Sequence, residues 1–200
     1  MSELYIGTTN EAKVKQIRAA LLSLDLLVQG IDGDLPDIEE DGQTAQDNAR
    51  KKALEFAQFL GKNVLSTDIA LFFEGLSEDQ QPGLHVRRIP GKSGRASDDE
   101  LREYYLKLIK DSGGKLNGHW KYAVCVASPE AVIGETMIVS PRVFVDTASP
   151  VQIPGYPLIS IQLDPEIGKY LSEMAFEEKD QFWQRSMGQK LRDFVSGLEL

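Results

Sequence analysis

A short apolar run, Leu4-Tyr5-Ile6, passes through Gly7-Thr8-Thr9-Asn10 straight into apolar residues at helical spacing, Val14, Ile17, Leu21 and Leu24. A strand that hands over to a helix within four residues constrains the fold more than any other feature of the chain. Thr9 or Asn10 caps that helix. A short strand is expected over 26–28, and the acidic stretch 32–41, with Gly33 and Pro36, reads as a loop. Thr44, with Asp47 three residues on, starts a second helix whose apolar face is Ala49, Ala53, Phe56, Ala57 and Leu60, and Gly61 ends it. Val64-Leu65 then reads as a buried strand that delivers Ser66-Thr67-Asp68 at its carboxyl end.

The second half reads as follows. Residues 77–97 are rich in Gly, Pro and polar side chains and predict an irregular surface excursion. Ser97-Asp98-Asp99-Glu100 predicts a capped helix carrying Leu101, Tyr104, Tyr105, Leu108 and Ile109, stopped by Gly113-Gly114. Strands are expected over 122–127, 132–139 and 143–145. Asp164-Pro165-Glu166 predicts a helix start with Ile167, Tyr170, Leu171 and Met174 as its stripe, and Met187, Leu191, Phe194 and Leu198 predict a last helix. Helical ends around a strand-rich middle give an α/β (mixed α+β) fold with two lobes.

Charge narrows the function. Across 200 residues, 22 Lys+Arg against 31 Asp+Glu leave a net charge of −9, which argues against a general nucleic-acid binder. One cysteine, Cys125, excludes an internal disulfide and a cysteine-rich zinc site. Only His85 and His119 are present, so a His-rich metal centre is not expected, and His119 is expected on a loop. No leader and no membrane span is expected, which suits a cytoplasmic location. Gly91-Lys92-Ser93 resembles the end of a P-loop, but position 86 is Val where a glycine is required, and it reads as a loop. Cys125 lies in an apolar run and reads as a core residue.

Four pieces carry candidate chemistry. Thr8, Thr9 and Asn10 precede a helix N-terminus with Lys13 one turn in, a setting that attracts phosphate and equally one in which the polar residues only cap the helix. Glu39-Glu40-Asp41-Gly42, followed by Thr44, Asn48 and Lys52, suits a hard cation or a solvated acidic loop. Asp68 after an apolar strand suits metal binding or proton acceptance, or a turn. Lys179 and Arg185 suit a phosphate or base edge, or plain solvent exposure.

In this order the pieces resemble the inosine triphosphate pyrophosphatase family, which acts on non-standard purine nucleoside triphosphates. Its Thr-x-Asn-x-x-Lys appears as Thr8, Asn10 and Lys13. Its Glu-Glu-x-Gly-x-Thr-x-x-x-Asn-Ala appears as Glu39-Glu40-Asp41-Gly42-Gln43-Thr44 and Asn48-Ala49, and its Pro-Gly and following arginine as Pro82-Gly83 and Arg88. The resemblance implies one domain over 1–200, elongated and two-lobed with a central substrate cleft between lobes, forming a homodimer. It implies Mg²⁺-dependent release of pyrophosphate from a nucleoside triphosphate. Carried over by position, Glu40 and Asp68 hold the metal and Asp68 activates water. Thr8, Thr9, Asn10, Lys13, Lys52, Gly155, Tyr156, Lys179 and Arg185 bind substrate.

The departures cluster. Thr67 and Ile69 replace an Asp and a Ser beside Asp68. Pro154-Gly155-Tyr156-Pro157 replaces Phe-Gly-Tyr-Asp, and Trp183-Gln184-Arg185 replaces Ser-His-Arg, with two extra residues before Gly188. The metal and phosphate end is largely kept, one carboxylate short at Thr67, and the base end is rebuilt. This implies a weaker preference for inosine over adenosine triphosphate. Two alternatives stand beside it: a nucleotide-binding protein with little catalysis, and a phosphohydrolase for a non-purine substrate that uses Trp183 as a stacking face.

Overall fold

The computed structural model describes residues 2–8, 10–31 and 36–200; Thr9 and residues 32–35 of the acidic loop lie outside the described residues. Six strands, β1 (Ser2–Ile6), β2 (Leu26–Gly30), β3 (Val64–Phe73), β4 (Lys115–Ala127), β5 (Val132–Val145) and β6 (Gln162–Leu163), form one sheet in the order β2-β1-β3-β4-β5-β6. The fold is mixed α/β. Backbone proximity divides the chain into two compact units. One comprises Met1–Ile69, Lys121–Val139 and Gln184–Leu200, and the other Ala70–Trp120 and Ser140–Trp183.

In the first unit β1 runs parallel to both β2 and β3, with Leu4 opposite Val28 and Tyr5 opposite Val64. Parallel neighbours need long crossovers, and two helices supply them: α1 (Glu11–Leu21) and α2 (Ala45–Leu60). Asn10 caps α1, its side-chain oxygen accepting from the amides of Ala12 at 3.0 Å and Lys13 at 3.3 Å. Ile17, Ala20 and Leu21 face the core. The helix ends before Leu24, which the periodicity had included. Thr44 and Asp47 form a reciprocal capping box at the start of α2. Ala49, Ala53, Phe56 and Ala57 bury its inner face, and Gly61 at φ 64° stops it. Leu4, Ile6, Val64 and Leu65 of β1 and β3 are likewise essentially without solvent contact. At the other side of β1, Arg18 of α1 donates from Nε to the Val28 carbonyl of β2 at 3.0 Å.

Gly7 is required by close approach. A Cβ there would lie 2.2 Å from Ser66 Oγ and 2.6 Å from the Phe56 ring, while its N–H donates to Leu65 O at 2.8 Å. The β1–α1 turn is thereby pressed against β3. Asp68 does not end β3 as expected. It is the fifth of ten residues, because Ile69-Ala70-Leu71-Phe72-Phe73 extends the strand. Pairing with β1 nevertheless stops at Ile6 opposite Leu65, so Asp68 stands beyond the end of β1. Cys125 is a buried core residue whose thiol burial pushes up to about 12.

In the second unit the Ser97–Glu100 capping box starts α3 (Asp98–Asp111), and Leu101, Tyr105 and Ile109 pack on Leu71, Phe73, Leu116, Phe144, Leu158 and Ile161. Gly113 and Gly114, both at positive φ, follow the helix. The 77–97 excursion lacks regular strand or α-helix but is anchored to this core. Val86 and Ile89 pack against it, Ala96 is buried, and the Gln81 side chain bonds Phe73 N, Phe73 O and Leu76 O.

Three expectations are corrected here. His119 lies within β4, stacked on Phe72 with centroids 5.8 Å apart, and not on a loop. The strands expected at 132–139 and 143–145 are one strand, β5, which continues through Ser140-Pro141-Arg142. No α-helix begins at Asp164. Its Oδ1 accepts from Glu166 N at 2.8 Å in a local turn, Gly168 takes φ 66°, and Asp164 N donates to Lys169 O, so the chain folds back after one turn. The last helical stretch starts earlier than expected. α4 (Phe176–Trp183) runs through one π turn (Gln184–Gly188) into α5 (Gln189–Ser196). The π turn lets the helical stretch run on past Trp183 without a break. In the first unit α5 lies against α1, and Arg192 Nε donates to Ala20 O at 2.7 Å.

Candidate active site

In the first unit the β1–α1 turn, the segment after the acidic loop, α2 and β3 bring four charged side chains together. Asn48 and Lys52 are four residues apart and share one face of α2. Lys52 Nζ lies 2.5 Å from Glu40 Oε1 and 3.6 Å from Asp68 Oδ1. Asn48, buried, accepts from Gly42 N at 2.8 Å and donates to Asp68 Oδ2 at 3.0 Å. One side chain thus ties the acidic segment to β3 and fixes the Asp68 carboxylate. Oδ2 is held by the amide, and Oδ1 faces the Lys52 ammonium.

Lys13 approaches the same group. It makes no ion pair with any described residue, and its pKa lies below the ordinary lysine range. Burial is the largest cause, followed by repulsion from Lys52, against a smaller pull from Asp68 and Glu40. An ammonium partly withdrawn from water beside a second ammonium is stabilised by an incoming anion. Thr8 Oγ1 accepts from Asn10 N at 3.2 Å, and the Asn10 side chain is engaged as a cap; together they hold the turn that leads to Lys13.

The donor set suits a hard cation. Glu40 and Asp68 are both oxygen ligands, and they already share one cation, the Lys52 ammonium. No group of three or more His, Cys, Asp or Glu side chains close enough for a metal occurs among the described residues. A metal held by Glu40 and Asp68 would need further ligands beyond these two carboxylates.

The other expected substrate residues lie elsewhere. In the second unit Gly155 takes φ 82°. Its N–H donates to Asp98 Oδ2 at 2.6 Å and its carbonyl accepts from Arg87 Nη1 at 3.2 Å. Arg87 Nη2 lies 2.5 Å from Asp98 Oδ1. This arginine, with the Gly155 amide second, holds the Asp98 carboxyl below the usual carboxylate range. Tyr156 is half exposed and lines a cavity of about 210 Å³ with Asp98, Arg102 and Pro154. Lys179 projects from α4 without an ion pair among the described residues, and Arg185 sits in the π turn of the first unit. Arg87 and Asp98 were not singled out from sequence as site residues, and Asn48 stood in the acidic motif without a role of its own. Asn48 had a signal, its position one turn before Lys52; Asp98 read only as part of a capping box, and Arg87 had none.

Residues 4–191 match the Ham1 family. The chain is 36% identical to a dITP/XTP pyrophosphatase of Prochlorococcus marinus over 126 residues, 62% of this chain, and it spans only 57% of that relative's length. It is 31% identical to a dITP/XTP pyrophosphatase of an Exiguobacterium species over 182 residues, 88% of each chain. The solved Ham1 protein of Staphylococcus aureus shares the fold with a TM-score of 0.73 at 22% identity, covering 98% of this chain and 99% of that one. With a match that runs from β1 into α5 and a relative aligned along most of both lengths, the chain belongs to the Ham1 family.

Proposed function

We propose that this chain is a nucleoside triphosphate pyrophosphatase that uses Mg²⁺, releases pyrophosphate and a nucleoside monophosphate, and has lost much of the family's base preference. The observation that carries the reading is the cluster of Glu40 and Asp68 sharing one cation beside the uncompensated Lys13. The names of the relatives, dITP/XTP pyrophosphatases, support the reaction class. Thr8, Asn10 and Lys13 receive phosphate at the α1 N-terminus, and Lys52 moves from the carboxylates to a phosphate oxygen. Glu40 and Asp68 would hold Mg²⁺, which when bound would neutralise phosphate charge and make water more acidic. Asp68 Oδ1 accepts the proton of the attacking water while Asn48 holds Oδ2. The new oxygen–phosphorus bond forms as the phosphoanhydride to the leaving pyrophosphate breaks. Gly155, Tyr156, Lys179 and Arg185 complete substrate binding. One domain over 1–200 with two lobes, a homodimer and a cytoplasmic location belong to the same reading.

The altered base preference rests on Pro154, which cannot stack, and on Gln184, which both donates and accepts. A second reading, nucleotide binding with little turnover, is favoured by Thr67, which leaves Asp68 without a neighbouring carboxylate. One experiment separates them. The protein with excess Mg²⁺ is given purine and pyrimidine triphosphates, and pyrophosphate and orthophosphate are measured separately, for the parent and for Asp68→Asn. We expect pyrophosphate release that Asp68→Asn abolishes, with similar kcat/KM for inosine and adenosine triphosphates. No release from any triphosphate favours the binding protein. An Asp68→Asn variant as fast as the parent removes Asp68 from the chemistry. An inosine preference of ~10²-fold or more refutes the altered preference.

A further inference from the structure

We propose that Arg87 and Asp98 are positioning residues for nucleobase recognition: their ion pair holds the Gly155–Tyr156 turn in one conformation and so sets how strongly the base is bound. The inference rests on the reading that this turn contacts the substrate's base.

The geometry is a closed ring. Asp98 uses its two oxygens separately, Oδ1 for Arg87 and Oδ2 for the Gly155 amide. Arg87 likewise divides its guanidinium, Nη2 to Asp98 and Nη1 to the Gly155 carbonyl. One ion pair therefore grips both backbone polar groups of a single residue. A planar guanidinium reaches two acceptors at once, whereas a lysine ammonium has no such fork.

The firm end of the anchor is α3. Asp98 opens α3, which the capping box fixes and which Leu101, Tyr105 and Ile109 root in the second unit's core. The turn's own backbone bonds are few, Tyr156 N to Ile153 O at 3.0 Å and Ile159 N to Tyr156 O at 3.1 Å, and Tyr156 leads into a short 3-10 helix, Pro157–Ile161. Pro154 and Pro157 restrict the backbone on either side, and Gly155 at φ 82° is the point of freedom between them. That free point is where the ion pair closes. Asp98 at the first helical position needs only solvent to favour the helix N-terminus, so nothing in helix capping explains why its carboxylate also takes the Gly155 amide. The half-exposed Tyr156 follows directly, beside a cavity bounded by Asp98 and Arg102. Releasing Gly155 leaves this aromatic ring without a fixed direction.

The test separates base from phosphate. Parent, Arg87→Lys, Asp98→Asn and the double variant are titrated calorimetrically with Mg²⁺ and the α,β-methylene analogues of inosine and adenosine triphosphates. Each is also titrated with inorganic tripolyphosphate, which has no base. Both single variants should bind the two analogues about 5- to 30-fold more weakly, as expected when a preorganised contact becomes mobile. Tripolyphosphate binding should change less than about twofold, and the double variant should be no worse than either single one, since both changes open the same ring. Unchanged analogue binding overturns the inference, and so does an equal loss for tripolyphosphate. Arg87→Lys and Asp98→Asn open the ring independently, so a fold defect in one leaves the other to decide. A parent that binds the analogues no more tightly than tripolyphosphate instead overturns the reading of the turn as a base contact.

Discussion

Asn48 offers the sharpest check on the site geometry. The side chain is only 3% exposed and makes two bonds, from Gly42 N at 2.8 Å and to Asp68 Oδ2 at 3.0 Å. Asn48→Ala removes both. A bond between neutral groups is worth about 0.5–1.5 kcal/mol and one to a charged group about 1.5–3 kcal/mol, so the expected loss is about 2–4 kcal/mol. For a chain of this length that lowers Tm by roughly 5–15 °C. Asn48→Asp gives a signature in pH. One oxygen still accepts from Gly42 N, but the other now faces Asp68. Two carboxylates 3.0 Å apart at an effective dielectric of 20 repel by at most about 5 kcal/mol, less the part offset by Lys52. One of the pair then holds a proton to a higher pH than in the unfolded chain. Its contribution is complete below the unfolded carboxyl pKa and is lost as pH rises through the raised one. Urea unfolding of parent and both variants at pH 5 and pH 8 measures this. Asn48→Asp should fall further behind the parent at pH 8 than at pH 5. Asn48→Ala within about 0.5 kcal/mol of the parent, or an Asn48→Asp deficit that shrinks at high pH, would refute the reasoning.

Lys13→Ala should leave thermal stability unchanged or slightly raised, because burial already disfavours this ammonium, while weakening triphosphate binding about tenfold or more. Melting curves and competition titrations check it, and equal loss for mono- and triphosphates counts against a polyphosphate role. Gly7→Ala forces a methyl to within 2.2 Å of Ser66 Oγ and should cost about 1–3 kcal/mol in urea unfolding; a variant as stable as the parent would show that the turn relaxes freely. Lys92 and the Ser97 cap hold the Glu100 carboxyl at about 2, below its unfolded value of 4.5. Its stabilisation is present above pH 4.5 and lost as pH falls towards 2, so Glu100→Gln should flatten the acid limb of a circular-dichroism titration over that range. An unchanged limb would rule out this carboxylate as its source.

The starts of the three long helices were legible because a side chain caps locally: Thr44 and Ser97 each act within their own segment, and Asn10 was one of the two caps expected with Thr9. Asp164 shows the limit of the same signal. Its carboxylate does bond two residues ahead, as a cap does, but Gly168 closes the turn before a second turn forms. Strand length was less visible. Asp68 and Ser140-Pro141-Arg142 looked like ends because strands are recognised by apolar runs, while both sit inside strands whose polar positions are satisfied by partners distant in sequence or by special local bonds. Asp68 has Asn48, twenty residues away, and Arg142 Nη1 donates to Ser140 Oγ at 2.6 Å and Pro141 O at 2.7 Å. In the candidate site the resemblance pointed to the acids and lysines, and the structure sets Lys52 beside both Glu40 and Asp68, with Asn48 on the same face of α2. The Arg87–Asp98–Gly155 ring joins residues 11 and 57 apart in sequence, and no local pattern encodes it.

The bond from Arg18 to the Val28 carbonyl bears on how the protein behaves in concentrated solution. β2 is the end of the sheet's strand order, so among the described residues no strand lies on its outer side, and its Leu27 is 43% exposed. A bare parallel edge is a template for a strand from another molecule. Arg18 places a guanidinium on the backbone of this end strand and engages one of its carbonyls. An incoming strand must displace a charged, hydrated group before it can dock. Replacing Arg18 with a small apolar residue would leave the interior untouched and open the template, so the change would surface in light scattering during storage or refolding while the melting temperature stayed where it was.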